Sequence, residues 1–306
     1  MDGGELAGEL LARCAFPPSE RGPVSLAVSG GPDSLALVVL ARWAGLHGLV
    51  IHVDHGLRDG SAAEAEVVGE AAARFSFAFE RRSVNVAPGP DLEARARRAR
   101  YDALPSGVLT GHTMDDQAET VLLNVLRGAA LDGLSGIRAG PEGRIRRPLL
   151  GLRRSETAAL CRASGLIPVL DPSNHDARFR RNRVRSEVLP LLCDVAGRDL
   201  VPVLARQALL LADDADVLQE LASGIDPTDV RALRRAPVAL ARRAVRSWLR
   251  SDESAGDAEA HPPSAEEVTR VLAVADGRVR ACELAGGRRV QRRAGRLHIV
   301  VPTAAR

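Results

Sequence analysis

Short apolar runs alternate with longer stretches in which apolar positions recur every three to four residues. The runs predict strands at 24–28, at Leu49-Val50-Ile51-His52-Val53, near Phe77 to Val86, and at Gly107-Val108-Leu109-Thr110. The stretches between and after them predict helices at 33–44, 61–74, 91–103 and 114–126. Strict strand–helix alternation predicts an α/β fold, a Rossmann-like and mostly parallel sheet with helices on both faces. After about residue 200 the spacing becomes helical, with 3.6-residue periodicity over Leu204 to Leu221 and Val230 to Leu249. Ser251 to Pro263 is polar, acidic and proline-ended and reads as a mobile loop, followed by a helix over 264–274. Val279 to Val301 reads as a strand pair or meander with turns at Gly286-Gly287 and Gly295. The organisation expected is a catalytic domain over 1–200, then a linker helix and a smaller, mainly helical domain over 201–306 that ends in short strands.

The ends of the first, second and fourth strands each carry a polar cluster, which is where open parallel sheets bind their ligands. At the first, Ser29-Gly30-Gly31-Pro32-Asp33-Ser34 runs from a strand into a helix. Gly30 and Gly31 allow a sharp turn and close backbone approach, and the helix that follows aims unpaired N–H groups at the same place. The segment reads as a pyrophosphate-binding loop. Ser29 and Ser34 add hydroxyl donors, and a carboxylate at Asp33 beside phosphates implies Mg²⁺ between the two negative groups. The bland alternative is a strand-to-helix turn capped by Asp33.

Asp54-His55-Gly56-Leu57-Arg58 forms the second cluster, weak by itself because Asp-His in a turn is commonly structural. The third opens a helix with His112, Asp115, Asp116, Gln117 and Glu119, at a spacing that places His112, Asp115 or Asp116, and Glu119 on or near one face. Such carboxylates suit Mg²⁺ or a cationic substrate, or else complement the helix dipole. Arg127, just past that helix, suits a phosphate contact or a cap.

Composition narrows the chemistry. The 306 residues contain no lysine, so all 42 basic residues are arginine. A Walker A loop is therefore excluded, as are Schiff-base chemistry and adenylation of an enzyme lysine. The net charge of +3 permits a polyanionic partner without demanding one. Cys14, Cys161, Cys193 and Cys282 lie far apart and read as inert thiols in a reducing compartment. With no leader at Met1-Asp2-Gly3-Gly4-Glu5 and no apolar run of about 18 residues, a cytoplasmic protein without a membrane partner is expected. Arg178, Arg180, Arg181, Arg183 and Arg185, with Phe179 and Asn182, read as a phosphate- or RNA-contacting segment or as a solvated basic face. Arg95, Arg97, Arg98 and Arg100 form a second basic run on a predicted helix.

In order and spacing these motifs resemble the bacterial tRNA(Ile)-lysidine synthetases. The likeness is carried by Ser29 to Ser34, Val53 to Arg58 and Gly111-His112-Thr113-Met114-Asp115-Asp116-Gln117-Ala118-Glu119-Thr120. It extends through Leu131 to Ile137, Arg147-Pro148-Leu149-Leu150, Asp171-Pro172-Ser173-Asn174 and Arg180 to Arg185, covering about residues 21–195. The first motif is shared by all N-type ATP pyrophosphatases; the combination is specific. The family has longer members with a further carboxyl-terminal domain, which is not expected in this chain.

The resemblance implies an adenine nucleotide alpha hydrolase-like fold and a two-step reaction. ATP adenylates the C2 oxygen of the wobble cytidine in a tRNA(Ile) with anticodon CAU, and the ε-amine of free L-lysine then displaces AMP. It implies ATP contacts from Ser29, Gly30, Gly31, Pro32, Asp33, Ser34, Asp54, His55 and Gly111, with Asp33 on Mg²⁺. Asp115, Asp116 and Glu119 become candidates for holding lysine, and His112 for accepting a proton or touching the adenylate. Arg127, Arg180, Arg181, Asn182, Arg183 and Arg185 become candidates for tRNA contact. Assembly stays open, a homodimer included. A tRNA thiolase would share Ser29 to Ser34, but many thiolases use paired cysteines. A small-molecule synthetase would lack the arginine-rich segment, and a non-catalytic RNA-binding protein would be expected to lose Asp33 or the acidic helix.

Overall fold

The computed structural model describes residues 3–54, 61–84, 95, 99, 101–138, 144–169, 176–252 and 263–300. Expectations on His55 to Arg58, Asp171 to Asn174, Arg97, Arg98, Arg100 and most of Ser251 to Pro263 lie outside the described residues. The chain separates into two compact units, Met1–Ala212 and Asp213–Arg306.

The first unit opens with α1 (Gly3–Leu11) and alternates β1 (Val24–Ala27), α2 (Pro32–Trp43), β2 (Gly48–Asp54), α3 (Ser61–Arg74) and β3 (Ala78–Ser83). In the 91–103 segment the described residues 95, 99, 101 and 102 are helical. Then come β4 (Val108–Thr110), α4 (Met114–Leu126), a single turn α5 (Leu131–Leu134), β5 (Ile145–Arg146) and α6 (Arg154–Ala163). The five strands form one sheet in the order β3-β2-β1-β4-β5, and every pair is parallel. This is the expected doubly wound fold, with its order reversing between β1 and β4. In open parallel sheets the ligand crevice lies at such a reversal, beyond the strand ends.

The pleat decides which residues face which helices. Leu26 and Val50 join Leu35, Val38, Val39, Ala72 and Leu160 in the larger core under α1, α2, α3 and α6. Their neighbours Ala27 and Ile51 face the opposite layer with Leu104, Val108 and Ile145. α2 is buried along its length from Ser34 to Ala41, and both β1 and α2 are nearly devoid of charge apart from Asp33 and Arg42. A charged residue at the start of a helix that central marks the end of the sheet where chemistry occurs.

Downstream, α7 (Arg180–Arg183) runs through a π-helical turn (Val184–Val188) into α8 (Leu189–Ala196), which ends at left-handed Gly197. α9 (Val201–Ser223) follows. In the second unit the helix expected over Val230 to Leu249 is two helices, α10 (Val230–Arg235) and α11 (Val238–Ser251). The cause is Pro237: it has no N–H to donate and holds the preceding Ala236 extended, at φ −71° and ψ 147°. α12 (Ala265–Asp276) begins in a capping box of Ser264 with Glu267 and ends at left-handed Gly277. β6 (Ala281–Glu283), β7 (Arg289–Arg293) and β8 (Arg296–Val300) form an antiparallel meander. Gly286, Gly287 and Gly295, at the expected turns, all have positive φ. One face of the meander packs Val290 and Leu297 on Val245, Leu249, Val271 and Val274.

Candidate active site

The Ser29–Ser34 loop combines contacts within the turn with one to a distant segment. Gly30 has φ +87°, a conformation that side chains disfavour, and its carbonyl accepts the Val169 N–H at 3.0 Å. Ser34 Oγ donates to Gly31 O at 2.9 Å and accepts the Ser29 N–H at 3.2 Å. Pro32 occupies the first turn of α2, where its missing N–H costs nothing. On the adjacent strand, buried His52 donates its Nδ1–H to Val28 O at 3.0 Å, tying the loop's entry to β2.

Gly111, at the end of β4, has a steric reason of its own. A Cβ there would sit 2.6 Å from Asp33 O and 3.0 Å from Ser34 Cα. The loop leaving β4 therefore packs directly on the backbone of the loop leaving β1, and the first and third clusters share the crevice. Asp54, at the end of β2, takes Arg81 Nη2 at 2.5 Å. Its sequence neighbour His55 lies outside the described residues.

Asp33 and the first turns of α4 meet through α6. Arg154, the first residue of α6, places Nη1 2.9 Å from Glu119 Oε1, Nη2 3.0 Å from Asp116 Oδ1 and Nε 3.4 Å from Asp33 Oδ2. Two further arginines close on the same carboxylates. Arg181 donates to Asp116 Oδ1 at 2.9 Å and Glu119 Oε2 at 2.8 Å, and Arg185 donates to Glu119 at 2.7 and 3.2 Å. Glu119 has no exposed side-chain surface, and three arginines compensate its charge in the interior.

Ionisation follows from these contacts. Burial acts to raise Asp116 and Glu119, but the surrounding arginines outweigh it and hold both carboxyls below the usual range. Asp33 goes the other way: burial dominates and pushes it up to about 6, against the opposing pull of Thr157, which donates its Oγ–H to Oδ1, and of Arg154. One carboxyl near neutrality thus sits beside two that stay ionised.

The polar groups at the start of α4 do not act as one face. His112 pairs its Nδ1 with Thr110 Oγ1 at 2.8 Å. Asp116 divides its oxygens, Oδ2 capping the helix by accepting the Thr113 N–H at 2.8 Å while Oδ1 takes the arginines. Gln117 leaves the cluster and clamps the 131–137 turn, donating to Ile137 O at 3.1 Å and accepting the Ile137 N–H at 2.5 Å. Asp115 turns to the start of α6, where it accepts the Arg154 N–H at 2.8 Å and Arg153 Nε at 3.1 Å. Arg127 lies at the other end of α4, about 12 Å along the axis from Glu119, with Nη1 3.5 Å from Asn124 Oδ1.

The expected basic face at Arg178 to Arg185 is divided as well. Arg181 and Arg185 point to carboxylates, and Arg183 pairs with Glu187 and Arg178 with Asp176 on the surface. Asn182 donates to Asp176 O at 2.9 Å. Arg178, Phe179, Arg180 and Arg183 are exposed. All four cysteines are free, and burial pushes the Cys14 and Cys161 thiols up to about 12, which suits inert thiols.

Arg153, Arg154 and Thr157 were absent from the sequence-derived site. A signal existed: two arginines open a helix, where the dipole disfavours cations, so carboxylates must face them. Among the described residues no group of three or more His, Cys, Asp or Glu side chains could hold a metal ion, and no helix is long and apolar enough to cross a membrane.

Comparison with known proteins agrees with this architecture. Residues 9–192 match the PP-loop domain family. The chain is 46% identical over 248 residues to tRNA(Ile)-lysidine synthase of Nocardia farcinica, covering 76% of this chain and 77% of that protein. It is 41% identical over 314 residues to the tRNA(Ile)-lysidine synthase of Salinispora arenicola, covering 92% of each. In fold it resembles the U34-tRNA thiolase NcsA of Methanococcus maripaludis, with a TM-score of 0.50 at 15% identity over 69% of this chain and 78% of that one. With its doubly wound sheet, its Ser-Gly-Gly-Pro-Asp-Ser loop and this extent of identity, the chain belongs to the tRNA(Ile)-lysidine synthase family of PP-loop, ATP-dependent ligases.

Proposed function

We propose that this chain joins L-lysine to C2 of the wobble cytidine in the CAU anticodon of tRNA(Ile), changing its codon reading from AUG to AUA. The observation that carries the reading is the meeting of an anion-binding loop and ionised carboxylates in one crevice at the switch point of the sheet.

In the first step the C2 oxygen of cytidine attacks the α-phosphorus of ATP. The new O–P bond replaces the bond to the β-phosphate, and pyrophosphate leaves with the electron pair. The N–H groups at the start of α2 and the hydroxyls of Ser29 and Ser34 are the donors that would receive that charge. Mg²⁺ fits a loop of this kind because it takes one or two carboxylates plus phosphate oxygens, and Asp33 supplies the carboxylate. Once bound, the ion would neutralise charge on the phosphates.

In the second step the amine of lysine attacks C2, the C2–O bond breaks, and AMP leaves with that oxygen and the electron pair. Free lysine carries an ammonium with a pKa of about 10.4, so a carboxylate must bind it and a base must remove a proton. Asp116 and Glu119, both held ionised, suit the binding. His112, beside Asp116, suits the adenylate or the proton.

Arg178, Phe179, Arg180 and Arg183 offer charge and a ring to the anticodon region of tRNA. The body of the tRNA is assigned to the second unit, where α10 and α11 carry seven arginines and no acidic residue. A reaction on tRNA is in keeping with a cytoplasmic protein.

The test is incorporation of labelled lysine into a tRNA(Ile) transcript with anticodon CAU, given ATP and Mg²⁺, beside a methionine tRNA with the same anticodon. Label in the isoleucine tRNA alone is expected. Label in neither, with AMP released on other substrates, would move the chain to another reaction of the superfamily.

A further inference from the structure

Asp115 is separated from its neighbours by what it touches. Its Oδ2 accepts the Arg154 N–H at 2.8 Å and Arg153 Nε at 3.1 Å, and its Oδ1 lies 3.3 Å from Arg153 Nη2. The Arg154 N–H is one of the donors that a helix start leaves without an intrahelical acceptor. Asp115 therefore fixes both the first turn of α6 and the point from which the Arg154 side chain departs. Asp199 holds the other side of Arg153.

From that anchored start, the three side-chain nitrogens of Arg154 reach three carboxylates on two segments. Nε faces Asp33 at the phosphate end of the crevice; Nη1 and Nη2 face Glu119 and Asp116 at the amine end. In the proposed reaction the α-phosphate lies between those same two ends. It is bonded first to the departing pyrophosphate and then, through the C2 oxygen, to the carbon that the amine attacks. A guanidinium touching both ends stands where that phosphate must pass. With no lysine in the chain, every long cationic side chain available for this place is an arginine.

We infer that Arg154 contacts the α-phosphate in both steps and that Asp115 is the positioning residue that aims it, rather than a ligand for lysine or metal. This rests on the reaction proposed above. Arg154 gains and loses no proton; its N–H groups pass from carboxylates to the nonbridging phosphate oxygens. That transfer also lifts one guanidinium from Asp116 and Glu119, while Arg181 stays paired with both and Arg185 with Glu119. Bidentate donation to phosphate is a property of guanidinium that an ammonium does not reproduce.

The experiment is tRNA-dependent pyrophosphate release, with and without lysine, in the full-length chain and the variants Arg154→Met, Arg154→Lys, Asp115→Asn and Asp115→Asn/Arg154→Met. Arg154→Met is expected to lower kcat about 10²–10³-fold, the usual effect of removing one transition-state donor, with the KM for tRNA and for lysine changed less than about three-fold. Arg154→Lys should recover part of the loss. Asp115→Asn should cost about ten-fold, and the double variant should fall within about two-fold of Arg154→Met, since residues acting as a unit are not additive. A purely structural Asp115 would instead give additive losses, which would overturn its role. An Arg154→Met protein within about three-fold of the wild-type rate would overturn the inference alone, while a wild-type chain without tRNA-dependent pyrophosphate release would overturn it together with the proposed reaction. Should Arg154→Met fail to fold, Arg154→Lys and Asp115→Asn carry the same comparison.

Discussion

The Ser29–Ser34 loop holds its shape largely through contacts made within six residues, whereas the cluster around Glu119 draws on Asp33, Asp116, Arg154, Arg181 and Arg185. Both serve one crevice, yet they depend on different physics. The loop depends on backbone conformation and unpaired N–H groups, which tolerate little steric change. The cluster depends on charges taken out of water, each affordable only while its partners stay in place. The loop should therefore be most sensitive to an added methyl group, and the cluster to the loss of a charge.

The largest effect should come from Glu119→Gln, which leaves Arg154, Arg181 and Arg185 facing a neutral group in the interior. Breaking a buried ion pair on one side costs about 3–5 kcal/mol, so chemical denaturation should show a loss of that order together with loss of lysine transfer. A change below about 1 kcal/mol would mean that the cluster is effectively hydrated, and the contrast with the loop would dissolve. Gly111→Ala adds no charge and removes none, but its Cβ would meet Asp33 O at 2.6 Å. A stability loss of about 2–3 kcal/mol and a raised KM for ATP are expected, with the KM for lysine little changed. Equal increases in both KM values would show that the two regions move as one body.

Asp33 belongs to both regions and should show the smallest effect, visible through pH. Its carboxyl is raised to about 6 in the folded chain, so the fold favours the protonated form. The sign is therefore opposite to that of Asp116 and Glu119: this contribution is fully present below about pH 4 and lost as the pH rises through about 6. Thermal unfolding of wild type and Asp33→Asn should diverge over that range, by about 2 kcal/mol or less, with the wild type losing ground. If Asp33 holds Mg²⁺ as proposed, pyrophosphate release should fall as the pH drops below about 6. Parallel unfolding curves for the two proteins would place Asp33 in a more open environment than the crevice.

Strand–helix alternation and the loop were legible because both are local. Period-2 and period-3.6 patterns are imposed by which faces are buried, and Gly30, Gly31 and Pro32 state the turn they require. The span of α4, residues 114–126, could be read directly, since Thr113 and Asp116 cap its start and Gly128 follows its end. The helix over 230–249 was overread because apolar spacing continues smoothly across Pro237, whose effect on Ala236 outweighs that pattern. Asp115 could not be told from Asp116 and Glu119 for a similar reason: three carboxylates within five residues look equivalent in sequence, and which way each points depends on what packs against α4.

The sequence by itself determined the parallel α/β architecture, the glycine-rich strand-to-helix turn at Ser29 to Ser34, and the supply of carboxylates and arginines from which a site could be built. Only the tertiary structure decided that Arg154 joins Asp33 to Asp116 and Glu119, that Arg181 and Arg185 turn inward while Arg180 and Arg183 do not, and that Asp115 braces a helix. The physical reason is range. Turns and periodicities are fixed by neighbours within about one helical turn or strand pleat, while the pairing of buried charges is settled by whichever distant partners the folded sheet brings within hydrogen-bonding distance.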